Sequence, residues 1–140
     1  MGTKNVDKLT EYLEKIKNKP FKYGTLDCAI FTVSAVDSQI GTKLKSKLFG
    51  KYKGLKGVAK RIKEIGKGRY INAIEKICKD NKFKEISPDY AQRGDVCIMK
   101  QNKKILMGII GLNNKPIFIH KDDGLVEFDK DVIVKAWRIS

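Results

Sequence analysis

The chain has 140 residues, a formal net charge of +14, 41% apolar residues and 9% aromatic residues. This length and composition predict a single domain over residues 1–140 that can bury a core without metals or disulfides. No apolar stretch approaches the length of a membrane span, and the first residues lack the apolar segment of a signal peptide. We therefore expect a soluble protein without a membrane span, made in a cytoplasm.

The positive charge comes mainly from lysine, because only four of the 30 basic residues are arginine: Arg61, Arg69, Arg93 and Arg138. A charge of this size favours an anionic partner such as nucleic acid, an anionic cell wall or an acidic protein. Specific recognition of bases and phosphates depends on arginine forks with interleaved aromatics. Dispersed lysines therefore argue against a specific nucleic-acid partner, and a nucleic-acid-binding module stays open on charge alone.

The three cysteines, Cys28, Cys78 and Cys97, are widely spaced and contain no Cys-x-x-Cys pair. This pattern predicts free thiols, no disulfide and no metal site, and no cofactor is expected. Cys78 falls on the apolar stripe of a predicted helix and Cys97 in a predicted strand, as is typical of small buried hydrophobic residues. Cys28 alone has a context that suggests chemistry.

The first half of the chain has the apolar periodicity of helices. Helices are expected over residues 4–18, 26–41, 56–65 and 69–80. Pro20 ends the first pattern, and the second is apolar on nearly every side, which indicates a helix buried all round. Thr25 or Asp27 could cap the start of this buried helix. Residues 42–54 are basic and are expected to be irregular.

The second half of the chain, after Ser87-Pro88, has short β-rich runs separated by polar turns. The predicted strands are Val96 to Lys100, Ile105 to Gly111, Pro116 to His120, Gly124 to Phe128 and Val132 to Ile139. We interpret them as an antiparallel meander. Helices followed by strands predict an α+β domain, in which N-terminal helices pack on an antiparallel sheet of about five strands.

Two further features have simple structural interpretations. The triplet Arg93-Gly94-Asp95 is also an adhesion motif, but a tight turn leading into a strand is the simpler explanation. Trp137 lies in an alternating strand, and we expect it to be a core or interface anchor because tryptophan buries a large area.

Cys28 lies in the first turn of the predicted buried helix, directly after Asp27. At a helix N-terminus, unpaired backbone N–H groups and the helix dipole favour a thiolate, and the same groups can form an oxyanion site. This arrangement suits a catalytic nucleophile. Because a buried helix also carries cysteines for packing alone, position leaves both interpretations open.

Short motifs follow one another along the chain: Tyr23-Gly24 before Asp27-Cys28, the turn Gln92-Arg93-Gly94-Asp95-Val96, and the run Leu106-Met107-Gly108-Ile109. In this order they resemble the motifs of the NlpC-type peptidases, papain-fold enzymes that cut peptides of bacterial cell walls. The resemblance spans residues 20 to 139. It implies a papain-like fold in which Cys28 occupies the position of the nucleophile.

The resemblance also implies an altered site, because Leu106 occupies the position of the histidine that serves as general base. Leucine cannot accept a proton, and a Cys-His peptidase without its base loses several powers of ten in rate. His120, the only histidine of the chain, matches the position of the family's orienting residue. It could act as the base of Cys28 if the strand registers differ, and a surface or capping role is the alternative.

Further motifs are the start Pro20-Phe21, the segment Gly50-Lys51-Tyr52, the turn Arg93-Gly94-Asp95-Val96, Gly124-Leu125 and the ending Ala136-Trp137-Arg138-Ile139. Together they resemble a branch of the same fold encoded among the tail genes of bacteriophages. This resemblance implies a virion component of the tail, tail tip or neck, made in the bacterial host cytoplasm. Its expected partners are other virion proteins in a multi-copy assembly.

The rival function is a working cysteine peptidase or amidase that cleaves peptidoglycan peptides during genome entry. In that case Cys28 is the nucleophile, His120 is the base, and the positive surface holds the anionic wall.

Overall fold

The fold is taken from a computed structural model, which describes residues 5–22, 26–50, 54–67, 70–120 and 122–139. Within these residues, the helices are α1 Val6–Ile16, α2 Cys28–Ile40, α3 Leu44–Phe49, α4 Gly54–Gly66 and α5 Tyr70–Asp80. The strands are β1 Lys84–Ile86, β2 Val96–Gln101, β3 Lys104–Ile110, β4 Pro116–His120, β5 Gly124–Glu127 and β6 Ile133–Arg138. The predicted α+β class, with N-terminal helices on an antiparallel sheet, is confirmed.

The central helix α2 begins and ends where its sequence indicates. The Asp27 carboxylate caps it by accepting the backbone N–H of Ile30 at 2.9 Å. Gly41 ends it in the left-handed conformation, with φ of 72°. Eight of its thirteen residues are buried, which confirms the prediction of a helix apolar on nearly every side. Thr25, the other predicted cap, lies outside the described residues.

The prediction that residues 42–54 are irregular was wrong, because α3 lies inside this range. The carboxylate of Asp37 on α2 accepts the backbone N–H groups of Leu44 at 2.8 Å and Lys45 at 3.0 Å. Two of the first N–H groups of α3 are thus satisfied by another helix. Leu44 and Phe49 are then buried against the core.

The sheet has six strands in the order β1-β6-β2-β3-β4-β5, rather than about five. The predicted meander holds for β2 to β5 but was wrong for β6, which returns to pair with β2 through Val96 with Trp137 and Cys97 with Ala136. The additional strand β1 is three residues long and pairs with β6 at the sheet edge. A run that short carries too little alternation to be recognised from sequence.

The sheet is apolar on both faces, since alternate residues of its strands enter two different clusters. Val96 and Ile98 of β2 join the cluster formed with the helices, whereas Cys97 and Met99 join a second cluster on the opposite face. Cys78, Cys97 and Trp137 are at most 4% exposed. The predictions that these three residues are buried are confirmed.

The triplet Arg93-Gly94-Asp95 forms a tight turn into β2. Gly94 has φ of 94°, a conformation that favours glycine. Asp95 is fully buried, and its Oδ2 accepts the backbone N–H of Gln92 at 2.9 Å and a guanidinium N–H of Arg138 at 3.3 Å. A carboxylate held in this way is not accessible to a receptor, so the structural interpretation is confirmed over the adhesion motif.

Across the described ranges, no helix combines the length and apolar character needed to cross a membrane. The same residues contain no group of three or more His, Cys, Asp or Glu side chains that could hold a metal ion.

Candidate functional site

A groove opens where strands β3 and β4 separate. Both strands are fully described; β3 pairs with β2 along its length but with β4 at two positions only, Ile109 with Ile117 and Ile110 with Pro116. Gly108 permits the close approach there, because a Cβ atom would collide with the backbone oxygen of Ile117. The rest of β4 pairs with β5 on its other edge but not with β3, which leaves a gap beside the first half of β3.

The groove has a volume of about 560 Å³ and combines an apolar lining with polar groups. The apolar side chains that line it are Phe21, Leu106, Phe118, Ile119, Val126 and Phe128. Cys28 and His120 line the same groove, together with Lys104 and the carboxylates of Asp122 and Asp123. The fold therefore brings both predicted catalytic residues, and the leucine that the sequence resemblance matches to a base position, into one concave site.

Cys28 is the first residue of α2 and reaches the groove from the helix side of the sheet. It is partly exposed, and its Sγ–H donates to the backbone carbonyl oxygen of Ile119 on β4 at 3.3 Å. Because β3 and β4 are not paired at this position, the carbonyl lies within reach of the thiol. A thiol that donates a hydrogen bond is protonated, so Cys28 is held here as a neutral group.

The acidity of Cys28 is opposite to what its place at a helix N-terminus predicts. Burial, and secondarily the negative charge of Asp27, raises the pKa of the thiol to about 12 from its ordinary value of 9.0, whereas a backbone hydrogen bond lowers it by less. One helix N–H that could have stabilised a thiolate, that of Ile30, is already taken by the Asp27 carboxylate. Desolvation therefore outweighs the helix dipole, and the thiolate that the helix position favours is disfavoured here.

Leu106 lies on β3 and lines the groove together with Cys28. The two side chains are partly buried against the same apolar cluster on the second face of the sheet. Leu106 offers no proton acceptor to the thiol. Gly108, two residues further along the strand, points to the same face because side chains alternate in a strand.

His120 ends β4 and closes the turn to β5. Its Nδ1 accepts the backbone N–H groups of Asp122 at 3.0 Å and Asp123 at 3.2 Å. Nδ1 is thus directed to the β4–β5 turn rather than to the groove cysteine, and the carboxylate of Asp123 lies 3.4 Å from the same nitrogen. The ring meets Phe118 edge-on, with 6.1 Å between centroids. The capping role expected as the alternative for His120 is confirmed.

Cys28 and His120 share the groove but are not hydrogen-bonded to each other, although both residues are described. The thiol is directed to the carbonyl of Ile119, and one imidazole nitrogen is directed to the β4–β5 turn. The structure therefore brings the two residues into one site without forming a Cys-His pair.

Sequence reasoning missed the aromatic residues that line the groove. Phe118 precedes His120 by two positions and shares its face of β4, so alternation in the predicted strand could have found it. Phe128 stacks on Phe118 with 5.0 Å between centroids, a contact that depends on the β4–β5 turn and leaves no local signal. The motif residues Tyr23, Gly24, Lys51 and Tyr52 lie outside the described residues.

These features define a class: an α+β domain with N-terminal helices on a six-stranded antiparallel sheet and a cysteine at the mouth of its central helix. The chain belongs to the family described as Domain of unknown function (DUF6950), whose model matches residues 3–139. No curated protein matches the chain. The family match includes every residue of the groove.

Proposed function

We propose that this chain is a structural component of a bacteriophage virion, from the tail, tail tip or neck, built on an NlpC-like fold with a degenerate active site. The observation that carries the proposal is the neutral Cys28 thiol, bonded to the carbonyl of Ile119 in a groove where Leu106 occupies the base position. In this proposal the groove has the cysteine of an NlpC-like site without a base hydrogen-bonded to it.

The chemistry of Cys28 supports the loss of peptidase activity. The thiolate is the attacking species in a cysteine peptidase. With a pKa of about 12, the thiolate fraction at pH 7 is about one in 10⁵. Leu106 cannot remove the proton during attack, so neither a preformed thiolate nor base catalysis is available from these two residues.

The motifs that Asp95 and Arg138 carry support a structural role. In the NlpC-like resemblance these residues belong to the Arg-Gly-Asp-Val turn and the Ala-Trp-Arg ending, and here they meet in an ion pair at 3.3 Å. Fold-maintaining residues are thus kept while the base position is changed. This pattern suits a scaffold among other virion proteins in a multi-copy assembly, made in the host cytoplasm.

A second candidate is a working cysteine peptidase or amidase that acts on peptidoglycan peptides during genome entry. One observation favours it: Cys28 and His120 line the same groove of about 560 Å³. In this alternative His120 releases the β4–β5 turn and carries its ring proton on Nδ1, so that Nε2 accepts the proton of the thiol after the thiol leaves Ile119.

Hydrolysis of muropeptides separates the two candidates. The wild-type protein, Cys28→Ala and His120→Ala would be incubated with muropeptides, and the products measured by mass spectrometry. The scaffold proposal expects no peptide fragments above the level of Cys28→Ala. Release of fragments by the wild-type protein that is lost in both variants would overturn it.

The virion assignment has a separate test. Purified particles of the phage that encodes the chain would be analysed by quantitative mass spectrometry, and we expect the protein at several copies per particle. Its absence from the particles, with presence in the lysate, would contradict the virion role whatever the result with muropeptides.

A further inference from the structure

The positive charge is concentrated in one segment rather than dispersed over the chain. Residues 42–69 contain eleven basic residues and one acidic residue, a net charge of +10. The other 112 residues contain nineteen basic and fifteen acidic residues, a net charge of +4. The segment contains α3 and α4, so the lysines, although spread along the chain, leave their excess charge mainly here.

Helix α4 displays part of this charge as a regular stripe. Lys56, Lys60 and Lys63 follow each other at spacings of four and three residues, and Lys67 continues the series just after the helix. Residues at these spacings share one helix face. All four lysines are exposed. Within the described ranges none of the four has a carboxylate partner, and Glu64, the one acidic residue of the segment, pairs with Arg61 at 3.4 Å.

The stripe lies on a helix that is fixed to the domain through its other face. Arg61 donates through Nε to the backbone oxygen of Leu48 on α3 at 2.6 Å. Ile65 is buried in the main core. At Gly66 a Cβ atom would come within 2.6 Å of the backbone nitrogen of Ala73 on α5, so the two helices are in close contact. The lysines therefore project from a rigid platform.

We propose that the α4 stripe, flanked by the exposed Lys43 before α3 and by Lys45 and Lys47 within it, binds the sugar-phosphate backbone of double-stranded DNA without reading its sequence. Lys56 and Lys63 are separated by about 10 Å along the helix axis, and each DNA strand carries one phosphate per ~3.4 Å of the duplex axis. Each lysine of the stripe thus has phosphates within reach along the backbone. This surface is separate from the groove, and the inference goes beyond the proposed structural role.

Two other polyanions fit the stripe less well. Membrane adsorption through an amphipathic helix uses an apolar face, but the apolar residue Ile65 of α4 is buried inside the protein. Arginine forks suit carboxylates and phosphates alike, whereas lysine is a point charge without directional preference. The exposed positions of the stripe are all lysine, so the stripe suits the dense, regular charge of a phosphate backbone better than the irregular carboxylates of a protein surface.

The test measures binding of the full chain to a fluorescent 30-base-pair duplex by anisotropy over a range of salt concentrations. If four lysines contact phosphates, the slope of log K against log salt is about −3.6, and binding weakens about a hundredfold between 50 and 200 mM salt. A second duplex of unrelated sequence should bind with the same affinity. The variant Lys56→Gln/Lys60→Gln/Lys63→Gln/Lys67→Gln should reduce the slope by about 3 to 4.

A matched control variant removes the same number of positive charges from another part of the surface. The variant Lys15→Gln/Lys19→Gln/Lys100→Gln/Lys130→Gln alters four other exposed lysines, and it should keep most of the affinity and the slope of the wild-type protein. Circular dichroism establishes that both variants are folded. Equal weakening by the two variants, a salt-independent affinity, or tighter binding to phosphatidylglycerol vesicles or polyglutamate than to DNA would overturn the proposal.

Discussion

Two motif-bearing regions of the molecule differ in what they do with their polar groups. In the turn before β2, Asp95 is fully buried and bonded to both Gln92 and Arg138. In the groove, the Cys28 thiol donates one hydrogen bond, to the carbonyl of Ile119, and Leu106 beside it has no polar group. The first region is a buried hydrogen-bonded network around a charged pair, whereas the second is an open site with an uncharged thiol.

The two sets of motif residues are constrained in different ways. A buried carboxylate without its partners would destabilise the fold by several kcal/mol, so the turn is constrained by folding. The Cys28 thiol already donates to a carbonyl, so the stability of the fold does not require a polar partner at Leu106. The groove residues are therefore less constrained by folding than the residues of the turn.

The largest expected effect comes from Asp95→Ala in the turn. The substitution removes the partner of Arg138 and the acceptor of the Gln92 N–H, and we expect the free energy of unfolding to fall by about 3 to 5 kcal/mol. Urea denaturation followed by circular dichroism measures it. Asp129→Ala is the matched control, because its pair with Lys115 is exposed and 3.7 Å long, and it should change stability by less than ~0.5 kcal/mol. Similar losses of unfolding free energy in the two variants would contradict the expected difference between the buried and the exposed carboxylate.

A smaller effect is expected from Cys28 at alkaline pH. The folded pKa of about 12 lies above the ordinary value of 9.0, so the stability due to the neutral thiol is fully present below pH 9 and is lost as the pH rises toward 12. Between pH 9 and 11 the free energy of unfolding of the wild-type protein should therefore fall more steeply than that of Cys28→Ser, by about 1 kcal/mol per pH unit. Serine keeps a donor for Ile119 but does not titrate in this range. Urea titrations at each pH measure both slopes, and parallel curves would show that the thiol is not perturbed.

The smallest expected change in free energy accompanies Leu106→His, which places an imidazole in the groove. We expect about 1 kcal/mol of lost stability and at least a tenfold faster alkylation of Cys28 by iodoacetamide at pH 8, because a nearby base favours the thiolate. Cys78 and Cys97 are buried, so labelling reports Cys28. Leu106→Gln adds polarity without a base and should leave the rate near that of the wild-type protein; an equal rise in both variants would mean that polarity alone activates the thiol.

Much of the fold could be predicted because its signals are local. The apolar run of α2, the Asp27 cap and the Gly41 end lie within the helix or next to it, and five of the six strands follow from alternation between polar turns. The face of β4 that carries His120 follows from the same alternation. These features depend on residues close together in sequence.

The remaining features depend on contacts between distant residues. Helix α3 is capped by Asp37, seven positions before Leu44, so its own lysine-rich sequence does not reveal it. The return of β6 to β2 involves pairing across about forty residues, which no local pattern specifies. The carbonyl of Ile119 that binds Cys28 lies 91 residues away, and its availability depends on the separation of β3 from β4. The acidity of the thiol could therefore not be read from its helix position.

The two shared positions between β3 and β4 also have a mechanical consequence. Because so short a ladder joins them, most of the β4–β5 hairpin is held against the domain by the packing of β4 on α2 and by the hydrogen bond from Cys28 to Ile119. The width of the groove is therefore set by side-chain packing rather than by backbone pairing.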